Sequence, residues 1–301
     1  MNTASVQPCT SLCTTFQRDG YVVVRGVLSD ADLQPLRAEL TAWITAKACA
    51  LHAAGKIAEL HGEADFDTRF GLLMAQCGEI QDGFDVMYVR GSATFQIFQT
   101  PALLQVVEQL IGPEISLNPI SHYRAKPPIG QTREDVKGYF AVPWHQDSGV
   151  IVPEADASEI VTCWIPLVDV TSEMGCLQVL PGGHLHGHLP HYAAPGYGTS
   201  IVPDLFPAGK PVHLEVAAGD VVIMHRHCPH HSGPNQSKRC RWSIDMRFHR
   251  TGDNSGRPWQ PEVVLASRGH AVLPAHAAWS NAWERCIADG GGHGQHRVID
   301  R

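Results

Sequence analysis

The sequence predicts a mainly β fold, a sandwich or a barrel, with helices flanking it at both ends. Many short β-rich runs, separated by Pro and Gly clusters, follow Gly112, and this texture is typical of sandwiches and barrels. Before Gly112, apolar residues recur at helical spacing instead. We expect one domain over residues 1–301, with a mostly helical part over 1–112, a β core over 113–250 and a C-terminal extension with a helix over 251–301.

The N-terminal part begins with a short strand and continues as helices. Residues 21–24, Tyr-Val-Val-Val, are aromatic or β-branched and predict the strand. Ser29, with Asp32 three residues later, predicts a helix N-cap, and apolar residues then follow helical spacing as far as Ile44. Two more helices are predicted, over residues 70–74 and 102–111.

The β core contains runs that are rich in β-branched and aromatic residues and therefore predict strands. These runs cover residues 115–123, 160–167, 177–180, 212–216, 221–224 and 241–248, and a helix is predicted after them over 277–287. The stretches 126–143 and 182–211 are long and rich in Gly, Pro and His. Loops of that length inside a compact domain are often functional lids.

Composition and charge exclude several classes of protein. No run of 18 apolar residues predicts a membrane helix, and residues 1–17 lack the pattern of a signal peptide. The net charge of −7 argues against a nucleic-acid partner. The nine cysteines form no CxxC pair, so no structural zinc site is expected, and Cys163 and Cys176 are predicted to be core thiols. A cytoplasmic monomer or homodimer, without a membrane or nucleic-acid partner, fits best.

Two segments carry candidate metal ligands. Residues 144–147, Trp-His-Gln-Asp, place an imidazole and a carboxylate two positions apart, and such residues point to the same side of a strand. In the His-rich segment 225–235, His230 or His231 is the best candidate for a third ligand. Two histidines and one carboxylate on one face of a metal form the facial triad of non-haem Fe(II) oxygenases. If the two segments meet, the sequence predicts an oxygen-activating enzyme.

Four motifs and one arginine follow one another along the chain in a recognisable order. They are residues 16–27 (Phe-Gln-Arg-Asp-Gly-Tyr-Val-Val-Val-Arg-Gly-Val), 144–147, 180–184 (Leu-Pro-Gly-Gly-His) and 230–235 (His-His-Ser-Gly-Pro-Asn), and then Arg241. With this set the chain resembles the phytanoyl-CoA dioxygenase family of Fe(II)/2-oxoglutarate oxygenases. The resemblance implies a double-stranded β-helix core of the jelly-roll or cupin-like type, with Fe(II), 2-oxoglutarate as cosubstrate and O2.

The resemblance also implies roles for single residues. His145, Asp147 and His230 are implied as catalytic metal ligands, because the last family ligand lies two residues before the Ser of a His-x-Ser-Gly-x-Asn run. Arg241, eleven residues after His230, is implied as the anchor of 2-oxoglutarate. Independently, a dicarboxylate in a low-dielectric barrel needs a fixed cation, and Arg offers a bidentate fork. Arg239 is expected to be solvated at the start of the strand.

Four other positions match family residues near the cosubstrate. Ser232 is expected to hydrogen-bond its carboxylate, and Trp164 to lie beside it, with ordinary core packing as the alternative. Gln146 matches a residue next to the ligands, although strand alternation points it away from the metal. His122 stands where the family often has Met. The histidines at 184, 186, 188 and 191 are interpreted as loop residues rather than as a second metal site.

The reaction that the resemblance implies is oxidative decarboxylation of 2-oxoglutarate to succinate and CO2, coupled to oxidation of a substrate C–H bond, most simply hydroxylation. Asp147 argues against halogenation, since halogenating relatives have a small residue at that position. Two alternatives stay open, namely an inactive relative that acts as a binding protein and a zinc hydrolase on a cupin-like barrel.

The expected substrate is a small metabolite, for example from natural-product biosynthesis. A CoA substrate needs several cations for its phosphates. Basic residues at positions 124, 126, 133 and 137 could serve, but Glu134 and Asp135 dilute their charge. CoA is therefore not favoured.

Overall fold

Antiparallel strands form the centre of the computed structural model, which describes residues 11–131, 142–194 and 198–299. The strands are β1 (Tyr21–Val24), β2 (Ile115–Lys126), β3 (Val142–His145), β4 (Ile160–Pro166), β5 (Leu177–Val179), β6 (His191–Ala194), β7 (Gly198–Ile201), β8 (Val212–Leu214), β9 (Val221–His225), β10 (His230–Ser232), β11 (Arg241–Arg250), β12 (Val263–Ser267) and β13 (His270–Ala271). The helices are α1 (Ser11–Asp19), α2 (Asp30–Ala53), α3 (Phe66–Gln76), α4 (Ser92–Phe98), α5 (Pro101–Ile111) and α6 (His276–Ala288). The prediction of a mainly β core with flanking helices is confirmed.

Two sheets make up the core. The larger has the strand order β1-β9-β4-β11-β2-β12-β13 and the smaller β3-β10-β5-β8, while β6 and β7 form a separate hairpin. Trp164 and Val222 of the larger sheet share one buried apolar cluster with Leu177 of the smaller sheet. The two sheets therefore pack face to face, as in a double-stranded β-helix.

Strand β11 shows how one sequence serves both faces of the larger sheet. Its even-numbered residues, such as Trp242 and Phe248, are buried in the main apolar core together with the helices. Three of its odd-numbered residues, Arg241, Asp245 and Arg247, line a cavity between the sheets. Because side chains alternate along a strand, β11 holds the helical layer on one side and supplies charged groups on the other.

The helical layer is anchored by α2. Ser29 is its N-cap, and the predicted capping box is present, since the Ser29 side chain accepts from the Asp32 backbone and the Asp32 carboxylate accepts from the Ser29 backbone. The helix then buries Leu33, Leu40 and other residues of the same face against the core. It continues to Ala53, well past the last residue that the apolar spacing indicated.

The structure describes one of the two stretches predicted to be lids almost completely and the other only in part. The stretch 182–211 is not a plain loop, because it contains the hairpin of β6 and β7, and Ser200 of β7 donates a hydrogen bond to the Trp144 carbonyl at 3.3 Å. Of the stretch 126–143, residues 132–141 lie outside the described residues. Across the described ranges, no helix combines the length and the apolar character needed to cross a membrane.

Candidate metal centre and cosubstrate pocket

His145, Asp147 and His230 converge at one point between the sheets. His145 ends β3 and His230 begins β10, and the two residues are direct cross-strand partners. Asp147 opens a short 3-10 turn, Asp147–Val150, that follows β3. Their potential ligand atoms all lie within 4.8 Å of one another. The two predicted segments therefore meet, although a turn rather than a continuous strand brings Asp147 to the side of His145.

Backbone carbonyls fix both histidine rings. Nδ1 of His145 lies 2.9 Å from the Pro143 oxygen, and Nδ1 of His230 lies 3.0 Å from the Cys228 oxygen. Because a carbonyl only accepts hydrogen bonds, Nδ1 carries a proton in each ring, and Nε2 is the atom left to bind a metal. Burial, with the neighbouring His230, lowers the pKa of His145 to about 3, so the ring is neutral at pH 7. Metal-binding histidines are commonly held in this way.

Asp147 is a buried, ionised carboxylate held by two side chains. Thr162 Oγ1 donates to Oδ2 at 2.5 Å, and the Arg247 guanidinium pairs with Oδ1. Burial alone would raise the pKa of Asp147, but the charge of Arg247, together with His230 and His145, holds it well below its usual value. The carboxylate is therefore charged at neutral pH, as a metal ligand must be.

This donor set fits Fe(II). Two neutral imidazoles and one carboxylate are the donors of the facial triad, which leaves positions for a cosubstrate and O2. No other group of three His, Cys, Asp or Glu side chains within the described residues meets the same distances.

The triad lies in the wall of a cavity of about 380 Å³, which Arg241, Trp164 and Ser232 also line. Arg241 is buried, its Nη1 donates to the Gly175 oxygen at 2.8 Å, and its Cζ lies 5.5 Å from the centroid of the Trp164 ring. Its Nε has no hydrogen-bond partner among the described residues. A buried guanidinium with a donor left over fits one carboxylate of a bound 2-oxoglutarate.

Lys126 adds a second basic group, whose link to this site the sequence reasoning missed. Its Nζ donates to Ser232 Oγ at 2.7 Å and to the Gly233 oxygen at 2.6 Å, and it lies opposite Arg241 in the pairing of β2 with β11. Burial, with the charge of Arg241, lowers the pKa of Lys126 to about 5. The sequence could have indicated this position, because Lys126 lies on the same face of β2 as His122 and Arg124, which line the cavity.

The other two predicted cosubstrate contacts differ in their positions. His122 lines the cavity, and its Nδ1 lies 2.6 Å from Asp85 Oδ2. Gln146 corrects the expectation, because its side chain is buried outside the cavity lining and bonds only to backbone. Its Nε2 donates to the Gly187 and His227 oxygens at 2.8 and 2.7 Å, and its Oε1 accepts from the Leu189 N–H at 2.7 Å. Gln146 thus ties neighbouring loops to the ligand turn, on the side that strand alternation indicated.

The remaining candidates have structural contacts. Arg239 has a side chain that is 64% exposed and pairs with Asp67 at the surface, so it does not compete with Arg241. Among the loop histidines, His184 bonds the Gln17 oxygen, His188 bonds Ser148 and His191 accepts from the Gln146 N–H. These contacts fasten the loop rather than form a second metal site.

Several residues that line the cavity belong to none of the sequence motifs. Arg247 could have been found from the alternation of polar and apolar residues along β11. Arg257 follows β11 in irregular structure, and Gly294 and His296 belong to the C-terminal tail. No local pattern marked them, because only tertiary structure brings these segments to the cavity.

A double-stranded β-helix that encloses two histidines and one carboxylate defines the class of non-haem iron oxygenases. Residues 16–243 match the family model described as phytanoyl-CoA dioxygenase (PhyH). Because this match spans most of the chain, the protein belongs to the phytanoyl-CoA dioxygenase family. It is an Fe(II)/2-oxoglutarate-dependent dioxygenase, as the sequence resemblance implied.

Known proteins are similar to this chain at low identity. L-proline trans-4-hydroxylase of Streptomyces griseoviridis is 26% identical over 286 residues, which cover 87% of this chain and 94% of that protein. Peroxisomal phytanoyl-CoA dioxygenase of Bos taurus is 25% identical over 238 residues, which cover 77% of this chain and 66% of that protein.

Solved structures share the fold. The apo non-haem monooxygenase ThoJ superposes with a TM-score of 0.63 at 21% identity and covers 92% of this chain and 95% of its own. The epimerase SnoN, solved with Fe3+, alpha ketoglutarate and nogalamycin RO, gives a TM-score of 0.55 at 20% identity and covers 88% of this chain and 91% of its own. The predicted jelly-roll type of core is thereby confirmed.

Proposed function

We propose that this enzyme hydroxylates a C–H bond of a small-molecule metabolite in the cytoplasm, with natural-product biosynthesis as its setting. The observation that carries the proposal is the convergence of His145, Asp147 and His230 in the wall of the cavity that Arg241 also lines. The similarity to L-proline trans-4-hydroxylase along nearly the whole length of that protein supports a small substrate.

The chain's own residues hold and orient the reactants. His145, Asp147 and His230 would bind Fe(II), which supplies the activation of O2. Arg241 and Ser232 are proposed to bind the far carboxylate of 2-oxoglutarate, with Trp164 packed on the guanidinium. Holding the reactants in one small cavity converts a collision into an oriented, nearly unimolecular step. Apolar lining residues, among them Met87, Val142 and Val150, limit the water around it.

The contacts of the basic residues at positions 124 and 126, which could have bound CoA phosphates, do not favour a CoA substrate. Lys126 is buried and bonded to Ser232, and Arg124 forms an ion pair with Asp245 at 3.3 Å. Lys126 is therefore not free to bind an external phosphate, and Asp245 offsets the charge of Arg124. Positions 133 and 137 lie outside the described residues.

The two alternatives leave part of the site without a role. A zinc hydrolase needs only three ligands and a water, and a binding protein needs no metal at all. In both cases the buried Arg241 beside Trp164 would serve no purpose, whereas a dicarboxylate cosubstrate needs it.

Succinate formation tests the proposal. Iron-loaded protein is incubated with 2-oxoglutarate and O2, with and without candidate substrates such as L-proline, and 2-oxoglutarate binding is measured for Arg241→Ala. We expect succinate from the wild type and a large loss of 2-oxoglutarate affinity in the variant. Arg239→Ala, two residues earlier at the surface, is the matched control and should bind normally. Absence of succinate under every condition, together with unchanged binding by Arg241→Ala, would overturn the proposal.

A further inference from the structure

Fixed positive charge exceeds negative charge in the cavity wall. Among the described residues, four arginines line the cavity, namely Arg124, Arg241, Arg247 and Arg257, against two aspartates, Asp147 and Asp245. A bound divalent metal and a bound 2-oxoglutarate dianion cancel one another. Two guanidinium charges therefore stay without a balancing anion when the cofactors are in place, in a volume where charge is costly to leave unpaired.

Two of the four lining arginines have no acidic partner among the described residues: Arg241, which is assigned to the cosubstrate, and Arg257. Arg124 pairs with Asp245, and Arg247 pairs with Asp147. The side chain of Arg257 makes one hydrogen bond, from Nε to the Val150 oxygen at 3.3 Å. The nearby Asp85 is already bonded to His122 Nδ1. The Nη atoms of Arg257 thus have no acceptor within the described part of the chain, although the residue is only 5% exposed.

A buried arginine with a purely structural role looks different in the same protein. Arg226 is buried to a similar degree, and its two Nη atoms donate to the carbonyl oxygens of Ala155, Asp156 and Ser158. Buried donors are normally satisfied in this way. The contrast indicates that Arg257 is kept for an acceptor that the protein itself does not supply.

Arg257 is held in place close to the metal site. Its Nε bonds Val150, which ends the 3-10 turn that Asp147 begins. The C-terminal tail lies against the guanidinium, since a Cβ on Gly294 would lie 2.6 Å from Nη2 and 3.2 Å from Nη1. Burial, with the charge of the neighbouring Arg247, lowers the pKa of Arg257 to about 10, so Arg257 stays charged at pH 7.

We propose that Arg257 binds a carboxylate of the substrate, so that this enzyme acts on a small carboxylic acid whose oxidised C–H bond lies between Arg257 and the His145–Asp147–His230 triad. This inference rests on the proposed function, because it assigns the substrate class of the same site. A guanidinium presents two parallel N–H groups that match a carboxylate. Arg241 holds the cosubstrate carboxylate, so each carboxylate has its own arginine.

Fluorine NMR with trifluoroacetate as the probe tests the inference without knowledge of the natural substrate. The protein is loaded with Zn(II), a redox-inert stand-in for Fe(II), and saturated with 2-oxoglutarate, whose affinity is measured in the same samples. We expect trifluoroacetate to bind the wild type and Arg257→Gln to bind it at least ten-fold more weakly. Arg257→Lys should be intermediate, because it keeps the charge but not the fork, and the neutral trifluoroacetamide should bind all proteins weakly.

Two further variants keep the test decisive. Gly294→Ala retains Arg257 but pushes its guanidinium aside, so it should also weaken trifluoroacetate binding if Arg257→Gln does not fold. Arg268→Gln, at an exposed position away from the cavity, is the matched control and should bind as the wild type does. Equal trifluoroacetate affinity in the wild type and in a folded Arg257 or Gly294 variant, or equal affinity for trifluoroacetamide, would overturn the inference. Failure of the wild type to bind 2-oxoglutarate would instead count against the proposed function.

Discussion

Single residues at the metal centre depend on opposite charges that share one buried space. Asp147 and Arg247 are each only 5% exposed at the side chain, and the pair lies beside His145 and His230. Removing one member of a buried ion pair leaves the other charge uncompensated. A bound metal cation provides an alternative partner for Asp147.

Arg247→Met should therefore destabilise the metal-free protein more than the metal-bound protein. We expect the free energy of unfolding without metal to fall by about 3–5 kcal/mol. Added Fe(II) or Zn(II) should stabilise the variant more than the wild type, because the cation then neutralises Asp147. Urea unfolding with and without metal measures both effects.

The double variant Asp147→Asn/Arg247→Met provides the control. It removes both charges, so it should recover part of the lost stability without metal and gain little from added metal. A metal-free Arg247→Met protein as stable as the wild type would show that the ion pair does not hold Asp147 in solution.

Among single residues, the sequence predicted those that lie in recognisable motifs and missed those that only the tertiary fold brings to the cavity. The spacing of His145 and Asp147 indicated two ligands, and the resemblance to the family implied His230 as the third ligand and Arg241 as the cosubstrate anchor. Arg257 carries no local signature, because an irregular segment and the tail bring it to the cavity. Gln146 was proposed as a contact by motif alone, while strand alternation correctly indicated that it faces away.

Among the elements, β11 and the loop before β5 meet beside Arg241, the proposed anchor of the cosubstrate. Gly175 has a φ of +68° and its carbonyl accepts from Arg241 Nη1. A Cβ on Gly175 would overlap the Gly233 oxygen and lie 2.8 Å from the Pro234 oxygen. The close approach places this loop against the residues that follow Ser232, so its backbone helps to position Arg241 at the proposed carboxylate site.

Gly175→Ala should weaken 2-oxoglutarate binding at least ten-fold, because the overlap displaces the Gly175 carbonyl or the segment after Ser232. Gly252→Ala is the matched control, since Gly252 also has a positive φ, +93°, but a Cβ there meets no atom within 4 Å. Both variants should lose about 1–2 kcal/mol of stability from the backbone strain alone. Calorimetric titration and urea unfolding separate the two effects, and equal 2-oxoglutarate affinity in both variants would refute the contact.

The sequence predicted elements well where one face is apolar and less well where packing is irregular. The runs over 160–167 and 221–224 became β4 and β9, because β-branched residues alternate towards both cores. The Gly and Pro content of the stretch 182–211 indicates a loop and conceals the short hairpin of β6 and β7. The division of the chain into one domain stays a prediction.

For the whole molecule, a chain of half-buried histidines joins the loop 183–191 to the end of β9. The rings of His188 and His227 lie 6.4 Å apart, and those of His225 and His227 lie 5.2 Å apart. Burial lowers the pKa values of His188 and His227 to about 4 and that of His225 to about 3, from an ordinary value of 6.5. These histidines are neutral in the folded protein and become charged on unfolding below pH 6.5.

Stability should therefore fall as the pH is lowered from about 6.5 towards 4, where the unfolded chain binds more protons than the folded one. Above pH 6.5 the histidine contribution is fully present. The unfolding midpoint in urea, measured across this range, should drop less steeply in His227→Gln than in the wild type. His270→Gln, at an exposed position, is the control and should keep the wild-type slope. Identical slopes in all three proteins would exclude the histidine chain as the cause.

The proposed activity depends on one centre that binds the metal and the cosubstrate together. Anaerobic titration of Fe(II) and 2-oxoglutarate, followed by the visible charge-transfer absorption of the chelated keto acid, measures this most directly. We predict one equivalent of bound iron with this absorption in the wild type, and loss of both in His145→Ala and Asp147→Ala. Unchanged absorption in either variant, or none in the wild type, would contradict the assignment of His145, Asp147 and His230 as the metal centre.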